Sequence, residues 1–266
     1  METFWNQLGE PEEQLDELLW EVYHENSKLT TLNKSVALNE LQAKTLDLIV
    51  SQDYAGFPKV ALPDLPVQPD ASLWQIMHER TTARTVLPKK MDVDALATLL
   101  YSGYGINRTN ADTEFPHPFR TVPSAGALYP LEIFFHHTYI EGLEIGLYHY
   151  NPSMNSISLL QRGDQSRALR DVFIQPELAF NSSAMFFVTG WFERITFKYG
   201  ERGYRFALIE AGHVVQNMIL AAKALGFGTV PVGGFLDHRA DEFLKLDGVT
   251  ASCLYCLALG DNQDNA

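Results

Sequence analysis

The stretch RTVPSAGALYPLE, from Arg120 to Glu132, lies between a proline-rich loop and a strongly apolar run typical of a β-strand, residues 131–140. Its small side chains would let the backbone lie flat against a planar or anionic ligand. A short helix that begins here would direct unpaired N–H groups at that ligand. The alternative is a tight connection in which Ser124 only caps the helix. The candidate ligand-binding turn consists of Pro123, Ser124, Ala125 and Gly126.

The whole chain has the composition of an ordinary globular protein. It has 266 residues, of which 46% are hydrophobic and 20% are charged, so it can bury a substantial core. Lysine and arginine number 20 against 33 acidic residues, and the net charge of -13 disfavours nucleic acid or an anionic membrane surface as the main partner. The amino terminus lacks an export signal, and no apolar run is long enough to span a bilayer. We therefore expect a cytoplasmic protein.

Hydrophobic periodicity predicts a mixed α+β fold. Helical spacing near 10–25 and 36–51, followed by the proline-rich segment 55–69, predicts a lead-in and arm over residues 1–70 before a main domain over 71–266. In the main domain, helices are predicted near 71–80, 92–103, 164–173, 204–225 and 238–246. Strands are predicted near 131–140, 145–150, 156–161, 184–192, 229–232 and 252–259. These elements do not alternate regularly, which disfavours a doubly wound sheet.

The two cysteines of the chain, Cys253 and Cys256, have the spacing of a redox or zinc motif. Their apolar surroundings predict a buried strand, in which successive side chains point to opposite faces. Thiols three positions apart would then lie on opposite sides of the sheet, roughly 10 Å from each other. A disulfide cannot close across that distance. We therefore interpret both cysteines as packing residues of the core.

Two further segments have features of a ligand site. The run HERTTAR, residues 78–84, places Arg80, Arg84 and two threonine hydroxyls at the end of a predicted helix, and guanidinium groups suit phosphate or a carbonyl-rich ring. The run TVPVGGF, residues 229–235, follows the longest predicted helix, and its paired glycines allow close approach to a flat ligand. For the first run, the alternative is that the arginines are exposed and face water. For the second run, the alternative is a plain turn.

The run from Arg194 to Arg205 follows an apolar strand and precedes the longest predicted helix. A lysine next to a tyrosine at this junction, Lys198 and Tyr199, can supply a proton acceptor and a hydrogen-bond donor if burial or nearby cations lower the pKa of the lysine. Arg194, Arg202 and Arg205 are the available cations. The alternative is a solvated, positively charged loop.

Inside the longest predicted helix, Glu210 and His213 have the spacing of metal ligands in helical bundles. Such a site needs a second pair and two further carboxylates on facing helices, and the sequence offers none. We therefore expect no metal site. We interpret His213, Gln216 and Asn217 as buried polar side chains that hold neighbouring backbone or the edge of a ligand.

Four ordered motifs resemble those of one protein family. They are PSAGALYPLE (123–132), GLYHYNP (146–152), KYGERGYRFALIEAGH (198–213) and LKLDGV (244–249). The segment YHENSK (23–28) is a further match. Over residues 74–260 the chain resembles the SagB-type peptide dehydrogenases, azoline oxidases of the FMN-dependent nitroreductase superfamily. The resemblance implies an α+β nitroreductase fold with a central, mostly antiparallel sheet flanked by helices. It also implies a homodimer that binds FMN where the subunits meet.

The resemblance also implies roles for the candidate residues. The turn at 123–126 matches the family's segment near the isoalloxazine ring. The segment whose backbone faces the N5 edge of that ring matches Pro231, Val232, Gly233 and Gly234. Lys198 and Tyr199 match the family's catalytic pair. The carboxy terminus lacks the basic residues that other nitroreductases bring to the phosphate, so part of the phosphate site has no assigned residue. The family's motif for the phosphate and ribityl chain matches Arg80, Thr81, Thr82 and Arg84.

The implied reaction is the two-electron oxidation of an azoline ring in a peptide. The α carbon would lose a proton to Lys198, with Tyr199 as donor or alternate base, while hydride passes to flavin N5. Molecular oxygen is the expected reoxidant, and a cyclodehydratase or the modified peptide is the expected partner. Two alternatives stay open: a general NAD(P)H-dependent nitro or flavin reductase, and a non-catalytic scaffold that docks a peptide-modifying complex.

Overall fold

The computed structural model describes residues 19–29, 44, 51–64, 67–110 and 117–262. Its helices are α1 (Leu19–Asn26), α2 (Leu73–Glu79), α3 (Val93–Tyr104), α4 (Ser166–Arg170), α5 (Leu178–Asn181), α6 (Glu193–Tyr199), α7 (Glu201–Ala224) and α8 (Asp237–Leu244). Its strands are β1 (Lys59–Ala61), β2 (Val86–Leu87), β3 (Ile106–Thr109), β4 (Pro118–Arg120), β5 (Leu131–His137), β6 (Gly146–Asn151), β7 (Ser156–Arg162), β8 (Ala184–Trp191), β9 (Gly228–Val232) and β10 (Ala251–Asn262).

An antiparallel sheet forms the centre of the fold. Its strands follow the order β1-β7-β6-β5-β8-β10-β2, and β9 pairs with β10 as well. Every pairing between these strands is antiparallel. The short hairpin of β3 and β4 is separate and leads into the candidate turn. The predicted α+β class, with a mostly antiparallel sheet flanked by helices, is therefore confirmed.

Helices cover both faces of the sheet. On β5, Ile133 and Phe135 pack with the buried faces of α3 and α7, whereas Phe134 between them packs in a second cluster with residues of α4, α5 and α8. The alternation follows from the two-residue period of a strand. Because both faces are buried, the strands read as nearly continuous apolar runs and not as alternating ones.

The six predicted strands and the main-domain helices are all present, with ends that differ by a few residues. The predicted helix at 36–51 and much of that at 10–25 lie outside the described residues. The structure adds α5 and α6, which periodicity does not reveal because helices of four and seven residues are too short to show it. It also adds β1, in which the proline-rich arm pairs with β7 as an edge strand.

The expected separation of the two cysteines is wrong. The register of β10 against β8 shifts between Cys253 and Tyr255, so Leu254 is the extra residue of a β-bulge. The bulge turns Cys253 and Cys256 to the same face, and their sulfur atoms lie 3.6 Å apart. Both thiols are free and buried in the cluster that lies between the sheet and α8. They pack in the core, but not on opposite sides of the sheet.

A buried ion network at the start of β5 joins distant parts of the chain. Glu132 accepts hydrogen bonds from the Gln52 N–H, at 2.8 Å, and from His149 Nε2, at 2.7 Å. Its Oε1 also lies 2.7 Å from Arg194 NH1 on α6. Burial alone would raise the pKa of Glu132, but the His149 hydrogen bond and the Arg194 charge lower it to about 2. Glu132 therefore stays ionised and holds α6 and residues 51–54 against the sheet.

We expect Glu132→Gln to lower the free energy of unfolding by about 3–5 kcal/mol, because the amide leaves the buried Arg194 charge without its counter-ion. Urea unfolding at neutral pH measures the change. Glu141→Gln is the matched control, because Glu141 forms an exposed pair with Lys90 and its loss should cost less than about 1 kcal/mol. Equal losses in the two variants would contradict the role of the network.

Candidate functional site

The candidate turn has an unusual backbone. A single 3-10 turn spans Ala125–Ala127, and Gly126 has a left-handed φ of 64°. Ala127 and Tyr129, which are not glycines, also have positive φ values of 53° and 49°. Each such non-glycine residue costs roughly 1–2 kcal/mol. Strain of this kind persists only where the surroundings impose it, and it concentrates at functional sites.

Side chains from the turn and its flanks hold it in this shape. The Tyr129 N–H donates to Ser124 Oγ at 2.9 Å, and the Arg120 N–H donates to the Tyr129 hydroxyl at 3.0 Å. His117 Nε2 lies 2.6 Å from the Ala127 carbonyl oxygen. The Arg120 guanidinium stacks over the Tyr104 ring at 4.0 Å from its centre. The turn is therefore fixed before any ligand arrives.

Lys198 and Tyr199 lie directly against this turn. A Cβ atom at Gly126 would stand 2.7 Å from the Tyr199 hydroxyl and 2.8 Å from Lys198 Nζ. Only glycine leaves room for the two side chains there. The structure thus brings together two groups of predicted residues that are more than 70 positions apart in sequence.

The pair occupies a helix, and not the solvated loop that was the alternative. Lys198 and Tyr199 form the last turn of α6, which stands between β8 and α7. Gly200, with a φ of 53°, separates the two helices. The ion pair between Arg194 and Glu132 attaches α6 to the first residues of β5, a few positions beyond the turn.

The three arginines that we expected near Lys198 have other partners. Arg194 pairs with Glu132. Arg202 donates to the Ser27 carbonyl at 3.3 Å, and Arg205 donates to the His24 carbonyl at 2.5 Å. These carbonyls belong to the end of α1, where a cation is favoured. The three arginines therefore have a structural role, in place of the predicted role of lowering the pKa of Lys198.

The remaining predicted ligand residues gather along β9. The Ala83 N–H donates to the Thr229 carbonyl at 3.0 Å, which places residues 80–84 beside the start of the strand. A cavity of about 200 Å³ is lined there by Arg80, Thr81 and Lys223, among others. Thr82 and Arg84 are exposed beside it.

The glycine pair follows the other end of β9. Pro231 and Val232 belong to the strand, and Gly233 and Gly234 are exposed just beyond it. Beyond its two chain neighbours, no atom of the described residues lies within 4 Å of a Cβ placed on Gly233. The five residues of β9 extend about 13 Å at about 3.3 Å per residue. An elongated ligand with an anionic end at Arg80 and a flat end at Gly233 matches this arrangement.

The polar residues of α7 differ from expectation. His213 and Gln216 are exposed and not buried, because they share the outward face of the helix with Leu208 and Ile209. Asn217 is half-buried and donates to the Ser102 carbonyl at 3.1 Å. Among the described residues, no three His, Cys, Asp or Glu side chains cluster as metal ligands would.

Glu210 is the site residue whose role the sequence did not reveal. It is buried on α7 behind the turn, and Oε1 lies 2.6 Å from the Tyr104 hydroxyl, which itself accepts from the Leu131 N–H at 3.1 Å. Burial raises the pKa of Glu210 to about 7, although Ser124, Tyr104 and Arg120 act to lower it. The available signal was an acid inside the apolar run LIEA of the longest helix, residues 208–211.

Three proteins are similar to this chain in sequence. A protein of Methanocaldococcus jannaschii that is provisionally named a nitroreductase is 32% identical over 71% of this chain and 90% of its own length. The trifolitoxin-processing protein TfxB of Rhizobium leguminosarum bv. trifolii is 27% identical over 92% of this chain and 71% of its own. The microcin B17-processing protein McbC of Escherichia coli is 32% identical over 55% of this chain and 56% of its own.

Solved structures share the fold. A nitroreductase-like protein of Anabaena variabilis has a TM-score of 0.66 at 24% identity, covering 88% of this chain and 49% of that chain, so this chain spans about half its length. A chain of the E. coli microcin synthetase McbBCD complex with truncated pro-MccB17 bound has a TM-score of 0.59 at 21% identity, covering 91% of each. A Desulfovibrio desulfuricans protein in complex with FMN has a TM-score of 0.50 at 17% identity, covering 74% of this chain and 90% of that chain.

These likenesses and the fold define a class of flavin-binding oxidoreductases. More narrowly, the chain belongs to the Nitroreductase family, which it matches over residues 77–261. The family and the fold that the sequence motifs implied are therefore confirmed. In the described part of the chain, no helix has both the length and the apolar character needed to cross a bilayer.

We expect Gly126→Ala to displace Lys198 and Tyr199 at little cost in stability. The new methyl group would meet only the flexible ends of these side chains, so the left-handed backbone should account for a loss of about 1 kcal/mol. Amine labelling with peptide mapping should show altered reactivity of Lys198.

Gly142→Ala is the matched control, because Gly142 also has a left-handed φ, of 78°, but in the described part of the chain only its own neighbours lie within 4 Å of the added Cβ. It should lose similar stability and leave Lys198 labelling at the wild-type rate. If Lys198 in the Gly126→Ala variant reacts at the same rate as in the control, the close contact does not exist.

The pKa of Glu210 predicts that stability falls as the pH rises towards neutrality. The group has a pKa of about 7 in the folded protein against a usual value of 4.5, so the folded state holds its proton more tightly. The stabilisation is complete below about pH 4.5 and is lost by about pH 8, a change of about 3 kcal/mol at about 1.36 kcal/mol per unit. Denaturant unfolding should show this fall in the wild type relative to Glu210→Gln. Parallel pH profiles for the two proteins would refute it.

Proposed function

We propose that this protein is an FMN-dependent oxidase that converts azoline rings of a peptide to azoles. One observation carries the proposal: the Lys198 amine and the Tyr199 hydroxyl meet at a fixed small-residue turn, where a flat ring could approach. The similarity to proteins named for processing microcin B17 and trifolitoxin supports a peptide substrate.

The residues present suit FMN. The cavity lined by Arg80, Thr81 and Lys223 offers two cations and a hydroxyl for a phosphate. Asp261 lines it too, but pairs with Lys89 at 3.3 Å, and Lys223 lies 3.7 Å from Glu79. Lys223 is our candidate for part of the set that the carboxy terminus does not supply. The open space over Gly233 leaves room for a planar ring against backbone, and the turn at Gly126 brings Lys198 and Tyr199 close to backbone. Bound flavin would supply the two-electron acceptor that the reaction needs.

The protein's own residues then position the substrate and handle its proton. The Lys198 amine takes up the proton from the α carbon of the azoline ring. The Tyr199 hydroxyl, on the same helical turn, donates a hydrogen bond to the substrate or serves as the alternate base. The pair of Arg194 and Glu132 keeps α6 in place, so both groups stay beside Gly126.

We propose that the protein acts as a homodimer. Apolar side chains stand exposed on α2 and α7, among them Trp74, Met77, Leu208 and Ile209, and such patches mark interfaces. Lys198 and the turn lie in one group of site residues, while Arg80 and Gly233 lie in the group along β9. A second copy would place the first group of one subunit against the second group of the other. The likeness to a chain of the McbBCD complex supports a cyclodehydratase or a modified peptide as a further partner.

A nicotinamide-dependent reductase is the second candidate. It is favoured by the 32% identity with the M. jannaschii protein over 90% of that protein's length. Stopped-flow mixing of the flavin-loaded protein with NADPH separates the two functions. Rapid bleaching of the flavin would favour the reductase, and no reaction with nicotinamides would favour the oxidase.

We expect Lys198→Ala to reduce azoline oxidation by about 100-fold or more while flavin binding is kept, because removal of a general base has effects of this size. The assay incubates the flavin-loaded protein with an azoline peptide and follows the loss of two hydrogen masses by mass spectrometry. Lys90→Ala is the matched control, since Lys90 is exposed and pairs with Glu141 at the surface. Full turnover by Lys198→Ala would rule out Lys198 as the base.

A further inference from the structure

A second cavity, of about 740 Å³, takes no part in the reaction proposed above. It opens between the proline-rich arm, α2, α3 and α7, which contribute Val67, Ile76, Tyr101 and Leu220, among others, to its walls. Its volume lies within the range of about 300–1,000 Å³ that is typical of sites for small molecules. The cavity can therefore hold a ring together with the peptide units on both sides of it.

The cavity lies beside a close contact between α3 and α7. A Cβ atom at Gly103 would stand 2.7 Å from Met218 Cγ, so the two helices touch there. The side-chain amide of Asn217 ties the same helices together, because it donates to the Ser102 carbonyl at 3.1 Å. One turn further along α7, Ala221 is too short to fill the space next to this contact. The cavity is therefore built into the packing of the fold.

The lining of the cavity is neutral. None of the described residues that line it carries a charge at neutral pH, although the whole chain has a net charge of -13. Thr121 also lines the cavity, and its Oγ1 is buried with no hydrogen-bond partner among the described residues. A ligand with an acceptor would give this hydroxyl a partner. A charged ligand would lose its hydration without gaining a counter-ion. The cavity therefore suits an uncharged ligand that accepts a hydrogen bond.

The position of the cavity suits a peptide that also reaches the turn. Thr121 stands only two positions before Pro123, the first residue of the turn. Glu210 lies behind the turn, and Asn217 is seven positions further along α7, about 10 Å away at 1.5 Å per residue. An extended peptide covers about 10 Å in three residues, at about 3.3–3.6 Å each. A group about three residues away from a ring at the turn would therefore reach the cavity.

We propose that this cavity is a subsite for an uncharged azole ring of the same peptide, about three residues away from the ring that is oxidised. The inference rests on the proposed function for the identity of the peptide. An azole is flat and neutral, and its ring nitrogen can accept the hydrogen of the Thr121 hydroxyl. A peptide that already carries one azole is thus held with a further azoline beside Lys198.

Ligand-observed NMR with the purified full chain tests the cavity with two small probes, 2-methylthiazole-4-carboxamide and 2-methylthiazole-4-carboxylate. The probes share one ring and differ in charge. The carboxamide should bind about tenfold more tightly, because the cavity offers the carboxylate no counter-ion. A phosphate buffer competes for the cations of the cavity at Arg80, so that a carboxylate bound there is displaced. Equal affinities, or tighter binding of the carboxylate, would overturn the proposal.

Thr121→Val tests whether the hydroxyl holds the ligand. The variant keeps the branched shape, and the carboxamide should bind it about fivefold more weakly, the equivalent of one ordinary hydrogen bond. The protein should lose no stability, because the hydroxyl has no partner among the described residues. Thr138→Val is the matched control and should bind as the wild type does, since Thr138 is also half-buried but does not line the cavity. Unchanged affinity in Thr121→Val would refute the subsite.

Ala221→Leu tests the location of the ligand. The larger side chain fills the cavity and should abolish binding of the carboxamide. Binding that survives in this variant belongs to another site and counts against the proposal. If Ala221→Leu does not fold, the comparison of Thr121→Val with Thr138→Val decides alone.

Turnover separates failure of this inference from failure of the proposed function. Two azoline peptides are compared that differ at one position, about three residues from the azoline, where one carries an azole and the other a serine. In the wild type, the azole should lower KM about fivefold and leave kcat unchanged, and Thr121→Val should remove the difference. Equal KM values in the wild type would refute the subsite. Oxidation of neither peptide would refute the proposed function, and the NMR titrations then decide whether the cavity binds an azole.

Discussion

The left-handed turn at Gly126, Ala127 and Tyr129 is the constraint on which the site depends. A chain does not adopt this backbone on its own, because each non-glycine residue in it costs roughly 1–2 kcal/mol. The turn is held by two hydrogen bonds. The Tyr129 N–H donates to Ser124 Oγ, and the Arg120 N–H donates to the Tyr129 hydroxyl. The strain is thus balanced by contacts that lie under the turn. Lys198 and Tyr199 stand directly against the turn at Gly126.

Two buried glutamates with very different pKa values support this site. Glu132 has a pKa of about 2 because His149 and Arg194 surround its carboxylate, and it holds α6 to the sheet. Glu210 has a pKa of about 7 because burial raises it, although Ser124, Tyr104 and Arg120 act to lower it. The first is therefore a fixed charge that serves the fold. The second is a proton-binding group behind the turn, hydrogen-bonded to Tyr104.

The arrangement of the sheet explains how one subunit can carry two groups of site residues. One group stands where β8 and β5 meet α6 and the turn, and the other runs along β9 from Arg80 to Gly233. Each group is fixed by strands of the same sheet. This division is the basis for the proposal that two copies complete the site, with FMN between them.

Much of the fold could be predicted from the sequence, because strands and long helices leave a periodic pattern of apolar residues that survives without knowledge of their partners. The six strands, the length of α7 and the family motifs were all readable in this way. Short elements such as α6 were not, since seven residues contain too few turns to show a period. The candidate turn was found for a local reason as well: its residues are small and adjacent.

Only the tertiary structure decided which distant groups meet. The bulge at Leu254, which places the two cysteines 3.6 Å apart, depends on pairing with β8. The partner of Arg194 and the raised pKa of Glu210 depend on burial against strands and turns far away in sequence. Burial and charge pairing are properties of the folded arrangement, and no local pattern encodes them. The sequence alone determined the elements and the family, and the packing between elements determined the chemistry of the side chains.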